Sequence, residues 1–465
     1  MPYISNTQKR TAKQSIQNRF IKIEVLNYNF DVIGSVEGVA TAGTITIDSE
    51  SDTRRTASLT MVVKDNTLAV GPNNIIWLDK YLRLLVGTKM LPSGDFSWDN
   101  CGIYLIDAPS YSYDNVNNSL NVTLLDLMSK TTGVRNGYLE GKPVLIKAGE
   151  LIRDVFIAVL KLGGFNDYII NDPPEPGVIP FDMEFGQGST IYDILQGLLT
   201  LYPDYEMFFD INGTFIYQKI PDSADEQVAI DDDIFNNVLI SETYTVDLQN
   251  VKNSIEVYGR THNPVYFSAK TSVSGNLIAL EIPEVQEYEE NIIYGFTIKN
   301  PIGYKSVALK INNLKPYAVK LDDGKTDVVI AKEQGEIYYC VQYKKGYWNW
   351  LGHLQAYAIA EDTNPKSPYY IKGTIGKIRL PLYGDEYDNV FSDDLARQRA
   401  ERELYNHTKL LNTVELTCVP IYWADVNTVV EYTPKQEKSR QNYMIKNISM
   451  GLAPTDTMTI TMVKI

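Results

Sequence analysis

The chain has little cysteine, little histidine and no long apolar run. Cys101, Cys340 and Cys418 are odd in number and far apart, so neither a disulfide framework nor a zinc-ligand spacing follows from them. His262, His353 and His407 show no metal-ligand spacing, and no metal or cofactor is expected. No stretch approaches the length needed to cross a bilayer, and the opening MPYISNTQKRTAKQSIQNRF lacks the apolar segment of a signal peptide. A product made in the cytosol is expected. Positive charge is also in deficit: 43 Lys and Arg against 58 Asp and Glu leave a net charge of −15. Such a surface repels phosphate backbones, which argues against tight nucleic-acid binding. It suits a wall past which DNA travels without sticking.

Signatures of catalysis are missing too. GYLEGKP, residues 137–143, has one residue too few between its glycines and no Ser or Thr after Lys142, so it fails as a phosphate loop. GQGST at 186–190 reads as the turn before a helix, not as a nucleophile elbow. The carboxylate groups Asp231-Asp232-Asp233, Glu287/Glu289/Glu290 and Asp322-Asp323 read as solvated loops, with a calcium site as the lesser alternative. Glycoside hydrolysis would need two carboxylates facing each other across a cleft. No enzyme is expected.

What is present is ordinary globular composition with an excess of tyrosine, 32 against 14 Phe and 5 Trp. Tyrosine fits half-buried strand faces and wet interfaces, because its ring packs while its hydroxyl stays hydrated. The length implies several domains. Residues 1–19 form a polar arm, either a frayed terminus or a segment that orders on a neighbouring subunit. Residues 20–130 alternate at period two in short strands and read as a small barrel or sandwich. Residues 131–222 read as a small α/β domain. Its first helix carries a stripe of Leu151, Val155, Ala158, Val159 and Leu162 and stops at Gly163-Gly164. Its second has Ser189 as N-cap, a stripe of Ile191, Ile194, Leu195, Leu198 and Tyr202, and Pro203 at its end. Asn212-Gly213 between alternating runs predicts a hairpin whose two turn residues both have φ > 0.

Residues 223–262 and 366–465 read as one β-domain interrupted by an inserted β-rich module, 263–365. Near the end, FSDDLARQRAERELYNHTKLLNTVELTC predicts a helix from Ser392 to Leu411 with a narrow stripe of Ala396, Ala400, Leu404, His407 and Leu411. The period then switches to two, so the helix is expected to cover the barrel whose next strand it feeds. In the insert, YYCVQYKKGYWNW puts Trp348 and Trp350 on one strand face and Tyr347 on the other. Exposed, these rings would make a contact for a glycan or a partner. Buried, they would be the core of a small insert, which is the preferred reading.

Four stretches in order resemble the baseplate hub family of phage tails, including the central hub proteins of contractile tails and relatives in long-tailed phages and contractile injection systems. They are SDTRRTASLTMVV; IIWLDKYLRLLVGTK with CGIYLIDAPSYS; TIYDILQGLLTLYPDYEMFFDINGTFIYQ; and ARQRAERELYNHTKLLNTVELTCVP with YMIKNISMGLAPTDTMTITMVKI. The resemblance implies an α+β, mainly β fold with two tube-like β-barrel domains, each with a packed helix, and a small α/β domain between them. It implies a structural, non-enzymatic part of a virion tail, assembled in the host cytoplasm. The part would be a homotrimer that adapts a six-fold tail tube to a three-fold spike and continues an acid-lined DNA channel. The implied partners are tail tube or distal tail proteins, the spike or central puncturing protein and the tape measure protein. Two alternatives stand beside this: a carbohydrate-binding or wall-degrading tail-tip protein acting through the insert tryptophans, and a six-fold distal-tail or baseplate ring component.

Overall fold

The computed structural model describes residues 5–14, 17–38, 40–64, 68–114, 118–141, 143–171, 173, 177–221, 227–344, 346–408 and 412–465. The fold is mainly β, as the alternation implies. Strands β1 (Arg19–Leu26), β2 (Val32–Glu37), β3 (Ala40–Asp48), β4 (Arg55–Val62), β5 (Tyr81–Lys89), β6 (Phe96–Tyr113) and β7 (Asn118–Leu125) come first. The α/β unit follows, with β8 (Val144–Ile146), α2 (Ile152–Leu162), β9 (Tyr168–Ile170), β10 (Met183–Phe185), α3 (Ile191–Leu199), β11 (Tyr205–Phe209) and β12 (Phe215–Lys219). Helix α4 (Asp232–Val238) leads into β13 (Leu239–Val246) and β14 (Ser254–Thr261).

Eight strands of the inserted region share one sheet: β15 (Tyr266–Phe267), β16 (Lys270–Ser274), β17 (Leu277–Glu281), β18 (Ile293–Lys299), β20 (Ala308–Ile311), β21 (Tyr317–Lys320), β23 (Glu336–Lys344) and β24 (Tyr347–His353). Between them β19 (Ile302–Lys305) and β22 (Val329–Lys332) pair as a separate ribbon. The chain closes with β25 (Gln355–Glu361), β26 (Arg379–Leu382), α5 (Asp393–Thr408), β27 (Asn412–Cys418), β28 (Val429–Tyr432), β29 (Gln441–Gly451) and β30 (Met458–Lys464).

One twelve-stranded sheet unites the two ends of the chain, in the order β13-β27-β30-β29-β3-β4-β7-β6-β5-β1-β2, with β28 alongside β29. Its strand order contains a repeat. The early group lies β3-β4-β7-β6 and the late group β13-β27-β30-β29, so both read first, second, fourth, third in chain order. In both groups the third strand is long and bulged. The opening half of β6 pairs with β5 and its closing half with β7; the opening half of β29 pairs with β28. Bulges stand at Ile106/Pro109 in β6 and at Ile445/Asn447 in β29. A bulge bends a strand and lets it serve two sheets in turn. The seam between the groups is antiparallel, Asn447–Gly451 of β29 against Thr44–Asp48 of β3. One apolar core of Ile45, Leu59, Val122, Leu416, Ile448 and Ile460 runs continuously beneath both groups.

Several local expectations are corrected. The arm is not frayed, nor is it free for a neighbour: its described part forms α1 (Asn6–Ala12), closed by a reciprocal Ser5/Gln8 capping box. Gln8 Nε2 donates to Asp99 Oδ1 at 2.7 Å, and Lys13 pairs with Asp233, so α1 sits on its own chain. Helix α2 buries Ile152, Val155, Phe156, Val159 and Leu160, whereas Leu151 and Leu162 are exposed. Its buried face is rotated toward the larger Phe156. Thr190 caps α3 in place of Ser189, in a box with Asp193. The 212–213 hairpin forms, but only Gly213 has positive φ, at 87°. Asp210 Oδ1 accepts from the N–H groups of Asn212 and Thr214 and holds a longer turn. Asp231 is the N-cap of α4, not a solvated acid, while Glu287, Glu289 and Glu290 do face water.

Helix α5 does not cover the sheet that its next strand joins. Its small stripe, Ala396 and Ala400 with Leu404, packs on Ile255 and Val257 of β14. Strand β14 is the middle of a separate three-stranded sheet, β25-β14-β26, whose edge strand β25 comes from the region expected to be insert. Alanines at i and i+4 let a helix approach a sheet closely, and β14 with its neighbours offers the flat apolar face this needs. Ser392 caps the helix as expected, its Oγ accepting from Leu395 N at 3.2 Å; Leu411 lies outside the described residues.

Candidate functional site: an open sheet face and its two edges

Across the central sheet, alternation buries one side chain and exposes the next. The exposed face carries hydroxyls. In one row Ser241, Thr417, Thr459, Ser449, Thr46 and Thr56 stand opposite one another on six successive strands. The adjoining row runs Thr243, Glu415, Thr461, Asn447 and Asp48. Further along, Thr60 Oγ1 donates to Asn121 Oδ1 at 2.8 Å, and Asn121 faces Ser110. Threonine favours strands through its branched Cβ, so this face costs no β-propensity while staying hydrated. The acids in these rows are Glu415 and Asp48, and no basic residue stands in them. The two rows are thus mostly uncharged hydroxyls with a small excess of negative charge.

Two strand edges of this surface are open. Beyond its bulge β6 pairs only with β7, leaving its other edge bare, and Tyr111 and Tyr113 there are 57% and 69% exposed. At the opposite end β13 pairs only with β27; Ile240 and Val246 are exposed. Bare edges invite another chain unless they are blunted.

A buried ionic knot fixes the surface to the α/β unit. Arg54 Nη1 donates to Glu206 Oε2 at 2.8 Å and Nη2 to the Val426 carbonyl at 2.8 Å. Its guanidinium lies 3.7 Å from the Phe208 ring centroid. Arg55 Nη1 donates to the Phe209 carbonyl at 2.7 Å and Nη2 to Asp425. Asn427 and Gln218 donate to the two oxygens of Glu206. Arg54 and Arg55 are thus the buried meeting point of three distant segments, 206–209, Gln218 and 425–427.

In the insert, Trp348 is fully buried and its Nε1 donates to the Leu309 carbonyl at 3.0 Å. Trp350 is 5% exposed and packs on Phe296 and Tyr339. Both belong to the insert's own core and offer no open ring face. Tyr347, on the other face, is half-buried and borders a cleft of about 450 Å³ between the insert, the α/β unit and the first turn of α5. Among the described residues no group of His, Cys, Asp and Glu is arranged to hold a metal ion, and Cys101, Cys340 and Cys418 are buried and free. No helix among them is long and apolar enough to cross a membrane.

His353 joins the insert to α5, an arrangement invisible in the sequence because its partners are 20 and 40 residues away. Its Nδ1 is 2.8 Å from Asp393 Oδ2 and its Nε2 is 3.2 Å from Glu333 Oε2. Burial disfavours the charge, but the two carboxylates outweigh it and raise the imidazole from its ordinary 6.5 to about 9. A raised folded value means the stabilisation is complete below about pH 6.5 and is lost as pH rises through about 9. Thermal unfolding should show a loss of about 2–3 kcal/mol over that window, and His353→Gln should flatten it. An unchanged pH profile in the variant would refute the assignment.

The family described as a domain of unknown function (DUF5048) matches residues 366–465. No curated protein matches the chain. Among solved structures the chain is similar to the 43 kDa tail protein of prophage MuSo2 from Shewanella oneidensis, at 11% identity and a TM-score of 0.52, over 96% of this chain and 98% of that one. It is also similar to a tail protein from Neisseria meningitidis MC58, at 8% identity and a TM-score of 0.54, over 96% of each chain. At these identities the likeness is one of fold. It extends along the chain from the early strands to the last.

Proposed function

We propose that this chain, which has the fold of phage tail proteins, is a structural hub of a phage tail or phage-tail-like particle and acts as a homotrimeric ring. The observation that carries the reading is the repeated strand order within one sheet. Two equivalent groups per chain let three copies present six similar units, so a three-fold object can dock on a six-fold tube. The internal seam serves as the template for the seam between copies. If β6 of one copy meets β13 of the next as β29 meets β3, with the bulges of the two groups aligned, Ser110 falls opposite Thr245 and Ser112 opposite Thr243 of the neighbour. Both bare edges are then covered.

Three copies with eight such strands each close a ring of twenty-four. At about 4.8 Å per strand and ordinary barrel tilt, the opening is roughly 40–50 Å between backbones. Its wall would be the hydroxyl face. Such a wall has no cation to hold a phosphate and no apolar patch to adsorb a protein, so DNA and tape measure protein could pass. Tail tube or distal tail proteins would stack on one rim and the spike on the other. The buried tryptophans do not support a glycan platform of their own.

The test is oxidative cross-linking of a Ser110→Cys, Thr245→Cys double variant in assembled particles. A covalent trimer is expected, with neither single variant cross-linking. End-on images should show three-fold symmetry; a six-copy mass would instead support a distal-tail ring, and a monomer would sink both.

A further inference from the structure

The cleft beside Tyr347 has a chemistry that ring formation leaves unused. Tyr347 and Asn349 lie on the face of β24 opposite Trp348 and Trp350, and both line it. Asn349 is 3% exposed; its Nδ2 donates to Asp322 Oδ1 at 3.0 Å, and its Oδ1 has no partner. Its cross-strand neighbour Gln342, 4% exposed, likewise leaves Oε1 without a partner. Two adjoining buried amide oxygens without donors are unusual, since buried polar groups are nearly always satisfied.

Of the two, Asn349 lines the cleft, and the charges there, carboxylates of Asp204, Asp322, Asp323 and Asp394 beside the cations Lys219, Lys344 and Arg397, are of both signs and narrow what could satisfy it. Asp322 borders the cleft and, desolvated there, is raised to about 6. Lys344 borders it as well, its Nζ donating to Asn291 Oδ1 at 2.9 Å. An anion would meet the Asp322 carboxylate, and an ammonium would meet Lys344. A neutral hydroxyl group does both jobs, donating to an amide or carboxylate and accepting from the ammonium. Tyr202 and Tyr347 add rings on which a sugar face can lie. The volume is in the range of small-molecule sites, which favours a compact ligand over an extended peptide.

We propose that this cleft binds a neutral saccharide of one or two rings, held by Asn349, Asp322 and Lys344 against Tyr347. The site lies outside the central sheet, so it stands or falls independently of the ring.

Saturation-transfer NMR on the full chain, with glucose, galactose, mannose and N-acetylglucosamine as probes, tests this. Glycerol phosphate, cadaverine and a neutral tripeptide serve as the competing arms. At least one neutral sugar should bind with millimolar affinity or better, and Asn349→Leu and Tyr347→Ala should each weaken it by about tenfold or more. Tyr111→Ala, on the sheet edge, should leave it unchanged. Tyr347 is half-buried, so its variant reports even if Asn349→Leu fails to fold. Absence of binding by any of the sugars, binding that survives in a folded Tyr347→Ala, or response only to the charged or peptide arms would overturn the proposal.

Discussion

Arg55→Leu should destabilise the chain by about 3–5 kcal/mol, read by denaturant unfolding, because it breaks a buried charge network from one side. Arg55 is 2% exposed, and Leu would leave the Phe209 carbonyl without its donor and take one of two arginines from Asp425, which keeps Arg54 and the Val426 N–H. The loss exceeds that of a surface pair, typically below about 1 kcal/mol, because water cannot replace the guanidinium. Two companion variants give the result its meaning. Arg55→Lys should recover little, since one ammonium cannot reach two acceptors set for a planar fork. Asp425→Leu and Arg55→Leu together should cost less than the sum of the two single losses, since they share one interaction. A destabilisation below about 1 kcal/mol for Arg55→Leu would show the knot to be dispensable.

The knot also marks the boundary of what the sequence could reveal. Period-two alternation in ATAGTITID and RTASLTMV declared both strands, and even their buried side, because Ile45, Ile47, Leu59 and Met61 repeat at every second place. Helices α2 and α3 were legible from apolar residues three and four apart. The Ser5/Gln8 capping box was there to be read and was overlooked among basic residues. Other features lie beyond local pattern. Arg54 and Arg55 look solvated in sequence because they sit in a run of charges with Asp48, Glu50 and Asp52; their partners at 206 and 425 arrive only through folding. Helix α5 declared its own stripe, but a stripe does not name the sheet it will meet. The strand repeat was hidden for a related reason. Its first two strands are joined by six residues in the early group, from Ser49 to Arg54, and in the late one by residues 247–411, which hold the whole inserted module as well as β14, β26 and α5.

Trp348→Ala should cost about 3–5 kcal/mol, and that cost should stay inside the insert. The indole is enclosed edge-on by Tyr288, Tyr294 and Tyr343, with centroids at 5.0, 5.3 and 5.2 Å. Alanine would leave a cavity among three rings too constrained by their strands to collapse into it, and would strand the Leu309 carbonyl. Trp348→Phe separates the two contributions: most of the packing remains and only the N–H donor is lost, so about 1–3 kcal/mol is expected. The insert core is distinct from the core beneath the twelve-stranded sheet. Calorimetry of the variant should therefore show one transition moved to lower temperature while the other stays, a departure from two-state unfolding. The ring makes the same separation visible in assembly. Its proposed seams use β6 and β13, neither of which belongs to the tryptophan core, so Trp348→Ala particles should still cross-link through Ser110→Cys and Thr245→Cys. Failure of both together would mean that the insert builds the ring, and the equivalence of the two strand groups would no longer explain its symmetry.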